Sequence, residues 1–354
     1  MHNNSIIHIC KEKGKRLLNG GRSQIRNAII SVKLARFRRK GKLVPIERIG
    51  EKTNEVQDYW TGHTVHDGWF ISGRESLQYR EHIWDMYPCY REFADMDRDH
   101  TGETILDYGC GPGNDLTWYS QRTNPSMIIG MDISNSALKN SQFRMALHGV
   151  DKKKCRLIQI DEADAAIPLE DASVDFVNCQ GVLMHTSSPQ TILKEFCRVL
   201  KPANEKNNCC IMVYNKDSIW YHLYAAYYLR FVDSSPLEIT LEEAQKLDID
   251  DVFRMSTDGI DCPIARCWSS GEFADIALRA GFSRVLYKGG YCDSLELWIV
   301  KDYLQQALND PRLEDVHKVF LRDVSFDNNG YPVRTIDGRT EMCSLGGVFQ
   351  LWTK

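Results

Sequence analysis

The sequence lacks several features that would place it in a specialised class of protein. It has no run of 18 or more apolar residues, which argues against a membrane-spanning helix. Its N-terminus has no apolar core followed by a small-residue cleavage site, so we expect a cytoplasmic protein. The 354 residues, 43% hydrophobic and 26% charged, suffice for one large domain with additions or for two domains.

The twelve cysteines form no C-x-x-C pair. The pair with the most ligand-like spacing, Cys262 and Cys267, matches no common zinc pattern. We therefore expect buried free thiols in a reducing compartment and no metal site.

Charge is distributed unevenly along the chain. Residues 1–48 contain 13 Lys+Arg and 2 Asp+Glu, a net charge of +11, whereas the whole chain carries −4. Ile25, Ile29, Val32 and Phe37 recur at helical spacing among these basic residues. Such a helix can lie on an anionic membrane, on nucleic acid or against the acidic remainder of its own chain, and the sequence leaves all three open.

The composition and the hydrophobic pattern divide the chain into five segments. We expect a basic arm, a helical lead-in or cap, a central core, a helical insertion and a terminal strand of the core, at 1–48, 49–100, 101–292, 293–342 and 343–354.

From Thr104 onward, short apolar strands alternate with helical stretches. The strands are ETILDY, SMIIGMDIS, CRLIQID, SVDFVNCQGVL, NCCIMVYN, SRVLYKG and GGVFQLWTK. This alternation predicts an α/β fold with a doubly wound, mostly parallel seven-stranded sheet, an N-terminal helical extension and a helical insertion before the last strand.

A glycine-rich loop follows the first of these strands and precedes a helix. It reads DYGCGPG, with Asp107 two residues before Gly109, and with Gly111 and Gly113 completing a G-x-G-x-G spacing. The dinucleotide fingerprint is G-x-G-x-x-G, and a carboxylate at Asp107 would repel a pyrophosphate. The loop therefore suits a nucleotide-like ligand that carries a cationic amino-acid group.

Two further acids follow in the order that such a site requires. Asp132 ends the second strand, where a carboxylate can accept hydrogen bonds from both hydroxyls of a ribose. Asp164 follows the third strand and can pair with the exocyclic amino group of adenine. Each acid alone is weak support for a binding site, but the series is specific.

Residues 103–215 resemble the class I S-adenosylmethionine (SAM)-dependent methyltransferases, in particular the ubiquinone-biosynthesis type. The stretches that carry the resemblance are ILDYGCGPG, GMDIS, AAIPLEDASVDFV and GVLMHTSSPQTILKEFCRVLKP. The resemblance implies SAM as the methyl donor and the Rossmann-like fold of that class. It covers about a third of the chain.

The resemblance also implies roles for individual residues. Gly109, Gly111 and Gly113 would line the methionine part of SAM, with Asp132 and its neighbour Ile133 at the ribose, Asp164 and Ala165 at the adenine, and Gln180 near the sulfonium. The interval from Asp164 to Pro168 is one residue shorter than usual, so Glu162 competes with Asp164 for the adenine. The glycines that usually follow RVLKP are absent.

Candidates for the acceptor side come from two segments. His185, after the fourth strand, and His222, in an aromatic helix, are candidate general bases, although each can equally be a packing residue. Aromatic residues that could form the substrate wall are Trp60, Tyr79, Trp220 and Tyr221. Core packing is an equal alternative for each of them.

Several functions remain open. After the fourth strand the chain reads NCQG rather than the Asn/Asp-Pro-Pro-aromatic motif of enzymes that methylate exocyclic amines, which favours a small-molecule O- or N-methyltransferase acting on a sugar or specialised metabolite. The alternatives are a nucleic-acid methyltransferase anchored by the basic arm and a non-catalytic partner subunit with the same fold. A dehydrogenase is discounted by the glycine spacing, and oligomer formation stays open.

Overall fold

The computed structural model of the protein describes residues 21–50, 54–162, 165–204, 206–336 and 338–354. Its centre is an eight-stranded sheet. The strands are β1 (Ile46–Arg48), β2 (Thr104–Tyr108), β3 (Met127–Asp132), β4 (Cys155–Gln159), β5 (Phe176–Gln180), β6 (Asn208–Tyr214), β7 (Arg284–Tyr291) and β11 (Gly346–Trp352).

The strand order is β1-β4-β3-β2-β5-β6-β11-β7. The first six strands in that order run parallel, and β11 runs antiparallel between β6 and β7. The order reverses at β2, where β3 lies on one side and β5 on the other. Ligands of doubly wound sheets bind at this reversal, beyond the carboxyl ends of the strands. The predicted fold class is thus confirmed.

One strand was missed. The sheet has an eighth strand, β1, which pairs in parallel with β4 at the sheet edge. It comprises only three residues, IER, and none of them is fully buried, so it leaves no alternating or apolar pattern in the sequence.

Helices cover both faces of the sheet. They are α1 (Gly21–Arg39), α2 (Glu55–Gly62), α3 (Gly73–Met86), α4 (Tyr90–Phe93), α5 (Asn114–Arg122), α6 (Asn135–Leu147), α7 (Pro189–Val199), α8 (Leu229–Phe231), α9 (Leu241–Lys246), α10 (Ile249–Asp258), α11 (Ser270–Ala280), α12 (Ser294–Asn309) and α13 (Asp315–Arg322). The helix α7 illustrates the packing, because its apolar stripe is buried against the central core at Ile192, Leu193, Phe196 and Val199.

The described part of the basic arm lies on the body of the protein. Arg26 in α1 donates to the carbonyl of Trp69 at 2.8 Å, and Ile30 is buried. Ile25, Ile29 and Val32 of the apolar series are exposed, so they do not form the face that packs on the body. The helix α1 thus packs on the body through a different face from the one that its apolar periodicity indicated.

A second hydrophobic cluster lies beyond the sheet. Its centre is an aromatic π-helix, Trp220–Tyr228, which packs against α10, α12 and α13. The expected helical insertion at 293–342 contains α12 and α13, and also a small antiparallel sheet of β8 (Ser325–Phe326), β9 (Pro332–Ile336) and β10 (Arg339–Met342). That small sheet was not foreseen from the sequence.

No helix among the described residues has the length and apolarity to cross a membrane. The eleven cysteines in the described part of the chain are all free thiols.

Candidate functional site

The glycine loop connects β2 to α5 and is packed closely on one side. A Cβ atom added to Gly109 would lie 2.2 Å from Cγ2 of Val182, and the φ angle of Gly109 is +76°. A Cβ atom added to Gly111 would meet nothing within 4 Å, at a φ of +52°. Glycine is therefore required for packing at Gly109, whereas at Gly111 the loop faces open space that a ligand can enter.

Asp132 joins the carboxyl ends of β2 and β3. Its Oδ2 accepts a hydrogen bond from the amide of Gly111 at 2.8 Å, and its Oδ1 accepts from the amide of Ser134 at 2.8 Å. Burial raises the pKa of Asp132 to about 6, although the backbone donors of Ser134 and Gly111 oppose that rise. The carboxylate oxygens retain lone pairs for further donors such as hydroxyls.

The carbonyl of Ile133 fixes the lead-in segment beside this acid. It accepts from Nε2 of Gln57 at 3.0 Å and from Nε2 of Gln159 at 3.2 Å. A groove of about 990 Å³ opens here between α1, β1, α2 and α6. Its lining carries both charge signs, with Arg38, Arg48 and Lys139 together with Asp58 and Asp67.

A buried polar network lies beneath the glycine loop. Nδ2 of Asn178 donates to Oδ1 of Asp107 at 2.8 Å and to Oδ2 of Asp115 at 3.1 Å. Asp115 also forms an ion pair with the buried guanidinium of Arg80. Burial, reinforced by the charge of Asp115, raises the pKa of Asp107 well above its usual range.

The second oxygen of Asp107 is buried and has no hydrogen-bond partner. Buried carboxylate oxygens are normally satisfied, so this atom is positioned for a donor that the protein itself does not supply. An ammonium group, as in the methionine part of SAM, is such a donor and would also relieve the cost of burying the charge.

Gln180 lies at the end of β5 next to this network. Its Nε2 donates to Oδ1 of Asn178 and to the carbonyl of Cys210, both at 3.0 Å. Its Oε1 is buried without a partner. Gln180 therefore offers a second unsatisfied acceptor on the same side of the sheet.

The adenine side is only partly described. Ala165 packs at the edge of the central core, and Asp164 lies outside the described residues. Its competitor, Glu162, accepts from Nδ2 of Asn54 at 2.5 Å and from the amide of Ser187 at 2.6 Å. Burial opposes ionisation of Glu162, but these hydrogen bonds outweigh it and lower the pKa. Glu162 thus anchors α2 to the loop after β5.

His185 lies among aromatic residues from three segments. The ring centroids of His185 and Trp60 are 4.6 Å apart, and the ring of Tyr214 lies edge-on at 5.5 Å. Nδ1 of His185 is 2.8 Å from the carbonyl of Ile264, which can only accept, so Nδ1 carries the proton and donates. Nε2 then faces Oδ1 of Asp258 at 3.8 Å.

The remaining predicted residues lie elsewhere. Tyr79 packs on Phe70, with ring centroids 5.2 Å apart. Trp220, Tyr221 and His222 belong to the second hydrophobic cluster. Tyr221 approaches the surroundings of His185 through Phe253, whose ring contacts both Tyr221 and Tyr214.

Nδ1 of His222 lies 3.0 Å from Nδ1 of His317, and the His222 ring is stacked on Phe320. Burial and the neighbouring His317 lower the pKa of His222 to about 2. The surroundings of His222 are those of a packing residue.

Several residues of the site were missed by the sequence analysis. Arg80 and Asp258 are brought to the site from helices that are distant in the sequence, whereas Asp115 lies in the first turn of α5, directly after the glycine loop. No local pattern marks any of the three. Asn178 stands in the middle of β5, in register with Asp107 of β2, and a polar residue between two apolar residues of a strand is the one signal that could have identified it.

The sheet order defines a doubly wound α/β protein, and the residues at the carboxyl end of β2 form a candidate site for a nucleotide-like ligand. Residues 99–212 match the family described as methyltransferase domain. Over these residues the chain is similar to class I SAM-dependent methyltransferases.

The chain is similar to several curated proteins over that region. It is 35% identical over 105 residues to a demethylmenaquinone methyltransferase of Lactococcus lactis, covering 29% of this chain and 40% of that protein. It is 30% identical over 135 residues to a malonyl-[acyl-carrier protein] O-methyltransferase of Erwinia billingiae, covering 38% and 49%.

A third relative is a 37.1 kDa protein of a Streptomyces fradiae transposon, which is 34% identical over 103 residues, with 28% of each chain covered. The chain thus spans half or less of the length of these relatives.

Proposed function

We propose that this protein transfers a methyl group from SAM to an oxygen or nitrogen of a small molecule, with a sugar or a specialised metabolite as the acceptor. The observation that carries the proposal is the arrangement of two carboxylates around the open side of the glycine loop. Asp107 offers a buried, unpaired oxygen, and Asp132 lies at Gly111, where no side chain occupies the space.

The residues at hand fit SAM in chemical character. Asp107 would hold the ammonium group of the methionine part, Asp132 would accept hydrogen bonds from the ribose hydroxyls, and Gln180 would provide an acceptor near the sulfonium. SAM, when bound, supplies an electrophilic methyl group on a sulfonium. The protein contributes proximity and orientation, which are the main requirements of such a displacement.

The acceptor side lies at His185 and Trp60. Because Nδ1 of His185 donates to the carbonyl of Ile264, its Nε2 is the basic atom and accepts a proton from the acceptor group. Trp60 supplies an aromatic face beside that ring. This assignment gives the proton-accepting role to His185 rather than to His222, which is enclosed by its own cluster.

The mixed charge of the adjoining groove supports a small acceptor over a nucleic acid. A surface that binds phosphates by charge carries Lys and Arg without neighbouring carboxylates, because each carboxylate repels the phosphates. Here Asp58 and Asp67 line the same groove as Arg38, Arg48 and Lys139. The cytosolic location expected from the sequence stays a prediction.

Calorimetric titration with SAM tests the proposal directly. We expect the wild-type protein and Asp275→Ala, which changes an exposed acid on α11, to bind SAM equally. Asp132→Ala should lose binding, and NADH should not bind to any of the three. A folded wild-type protein that binds no SAM, or that prefers NADH, would overturn the proposal. SAM binding without turnover on any O- or N-acceptor would favour a non-catalytic subunit.

A further inference from the structure

We infer that His185, Asp258 and Cys262 form a zinc-binding site. Nε2 of His185, a carboxylate oxygen of Asp258 and Sγ of Cys262 all lie within 4.8 Å of one another. A nitrogen, an oxygen and a sulfur ligand are the three donor types that proteins use for Zn²⁺, and three protein ligands leave a fourth position open.

The distances between these three atoms fit ligands of one metal ion better than groups that bond directly to each other. Nε2 of His185 and Oδ1 of Asp258 are 3.8 Å apart, which is too long for a hydrogen bond. Two ligands about 2.1 Å from a tetrahedral zinc ion lie about 3.4 Å from each other. Side-chain movements of less than about 1 Å would therefore bring these atoms to zinc-binding distances.

The surroundings hold the histidine and the carboxylate in the manner of a metal site. A ligating histidine characteristically donates its other ring N–H to a carbonyl or carboxylate, and Nδ1 of His185 donates to the carbonyl of Ile264. Ligating carboxylates are themselves hydrogen-bonded, and both oxygens of Asp258 accept from the hydroxyl of Tyr214 at 3.1 Å.

The loop that carries Cys262 is also held in place. Arg254 donates to the carbonyl of Cys262 at 2.8 Å, and Tyr59 donates to the carbonyl of Asp258 at 2.5 Å. The thiol is buried, and its contact with the carbonyl of Ile264, at 3.4 Å, is the weak hydrogen bond of a sulfur donor. A metal ion would replace that weak contact with a strong one.

The metal site goes beyond the proposed methyl transfer and does not depend on it. An ion bound to Nε2 of His185 prevents that atom from accepting a proton, so the metal-loaded and metal-free proteins differ in the group available to the acceptor. Metal occupancy can be measured without turnover and without SAM. Failure of the metal site can therefore be distinguished from failure of the proposed methyl transfer.

The test uses the full chain, freed of metal with a chelator and titrated anaerobically with Co²⁺. We expect one equivalent of Co²⁺ to give a thiolate-to-cobalt charge-transfer band, and Zn²⁺ to displace it. Cys262→Ser should abolish the band. His185→Gln and Asp258→Asn should weaken zinc binding by at least about 100-fold, the upper end of the loss seen when only a supporting partner is removed.

A matched control is Cys267→Ser, which removes a nearby half-buried thiol that is not part of the cluster. It should keep the band and the affinity of the wild type. Circular dichroism of the metal-free variants shows whether each is folded. If Cys262→Ser is not folded, Asp258→Asn, which preserves the size of the side chain, replaces it as the test of the site. Absence of the band, its persistence without Cys262, or its loss in Cys267→Ser would overturn the inference. Calorimetry with SAM on the metal-free protein reports separately on the cofactor site.

Discussion

Arg80 on α3 forms a buried ion pair with Asp115 on α5, directly beneath the glycine loop. The Arg80 guanidinium also lies over the ring of Trp84, 4.7 Å from its centroid. Asn178 links Asp115 to Asp107, so the cation supplied by the lead-in segment balances the acids of the candidate site.

Removing that cation should destabilise the protein strongly. Arg80→Met leaves Asp115 buried without its partner, and we expect the free energy of unfolding to fall by about 3–5 kcal/mol in urea titrations. Arg122→Met, which breaks a half-exposed pair with Glu81, should cost less than about 1 kcal/mol. The double variant Arg80→Met/Asp115→Leu should recover most of the loss, and equal instability of the single and double variants would contradict this account.

The two glycines of the loop should respond differently to alanine. At Gly109 the new Cβ atom would lie 2.2 Å from Val182, so we expect Gly109→Ala to lower the melting temperature and Val182→Ala to restore part of it. At Gly111 the Cβ atom meets no protein atom, so the stability cost is the about 1–2 kcal/mol of a positive φ angle. Gly111→Ala should nevertheless weaken SAM binding by calorimetry, and unchanged affinity would place the ligand elsewhere.

The buried pair of His222 and His317 should make the protein sensitive to acid. The pKa of His222 is about 2 in the folded protein and 6.5 when unperturbed, so the unfolded chain binds a proton that the folded protein does not. Stability is then complete above pH 6.5 and falls below it, by up to about 1.4 kcal/mol per pH unit for this one group. Urea titrations between pH 7 and pH 5 should show a shallower dependence for His222→Gln, whereas His82→Gln, on the surface, should match the wild type.

The position of the acceptor can be tested with two aromatic variants. Trp60 touches His185, so Trp60→Ala should raise KM for the acceptor while leaving the Kd for SAM unchanged. Tyr79 packs on Phe70, so Tyr79→Phe should alter neither constant. Steady-state kinetics with an acceptor found by screening measure these constants. A raised KM in Tyr79→Phe and an unchanged KM in Trp60→Ala would instead place the acceptor beside α3.

The sequence predicted the parts of this protein that depend on local patterns. Seven strands of the sheet and the glycine loop could be found, because buried strands are apolar and a loop that passes close to other groups requires glycine. Asp107 and Asp132 became candidates through their places near the carboxyl ends of strands, and Gln180 through the family resemblance.

What the sequence could not supply depends on contacts between distant segments. Arg80 meets Asp115, and His185 meets Asp258, only through the packing of separate helices and loops. Trp220 and His222 carry the same aromatic pattern whether they line a pocket or fill a core, and the structure places them in the second hydrophobic cluster. The missed strand β1 is too short for any period to be visible.

The antiparallel strand β11 has a consequence for biosynthesis. It lies between β6 and β7 in the sheet, yet it follows both in the chain. The edges of β6 and β7 that pair with β11 therefore stay open until Gly346–Trp352 has left the ribosome. Until then the growing chain exposes the unpaired edge of β6, and such edges invite association with other chains. The acids of the candidate site are synthesised long before this moment, so a nascent chain can carry all of them while its sheet still has an open edge.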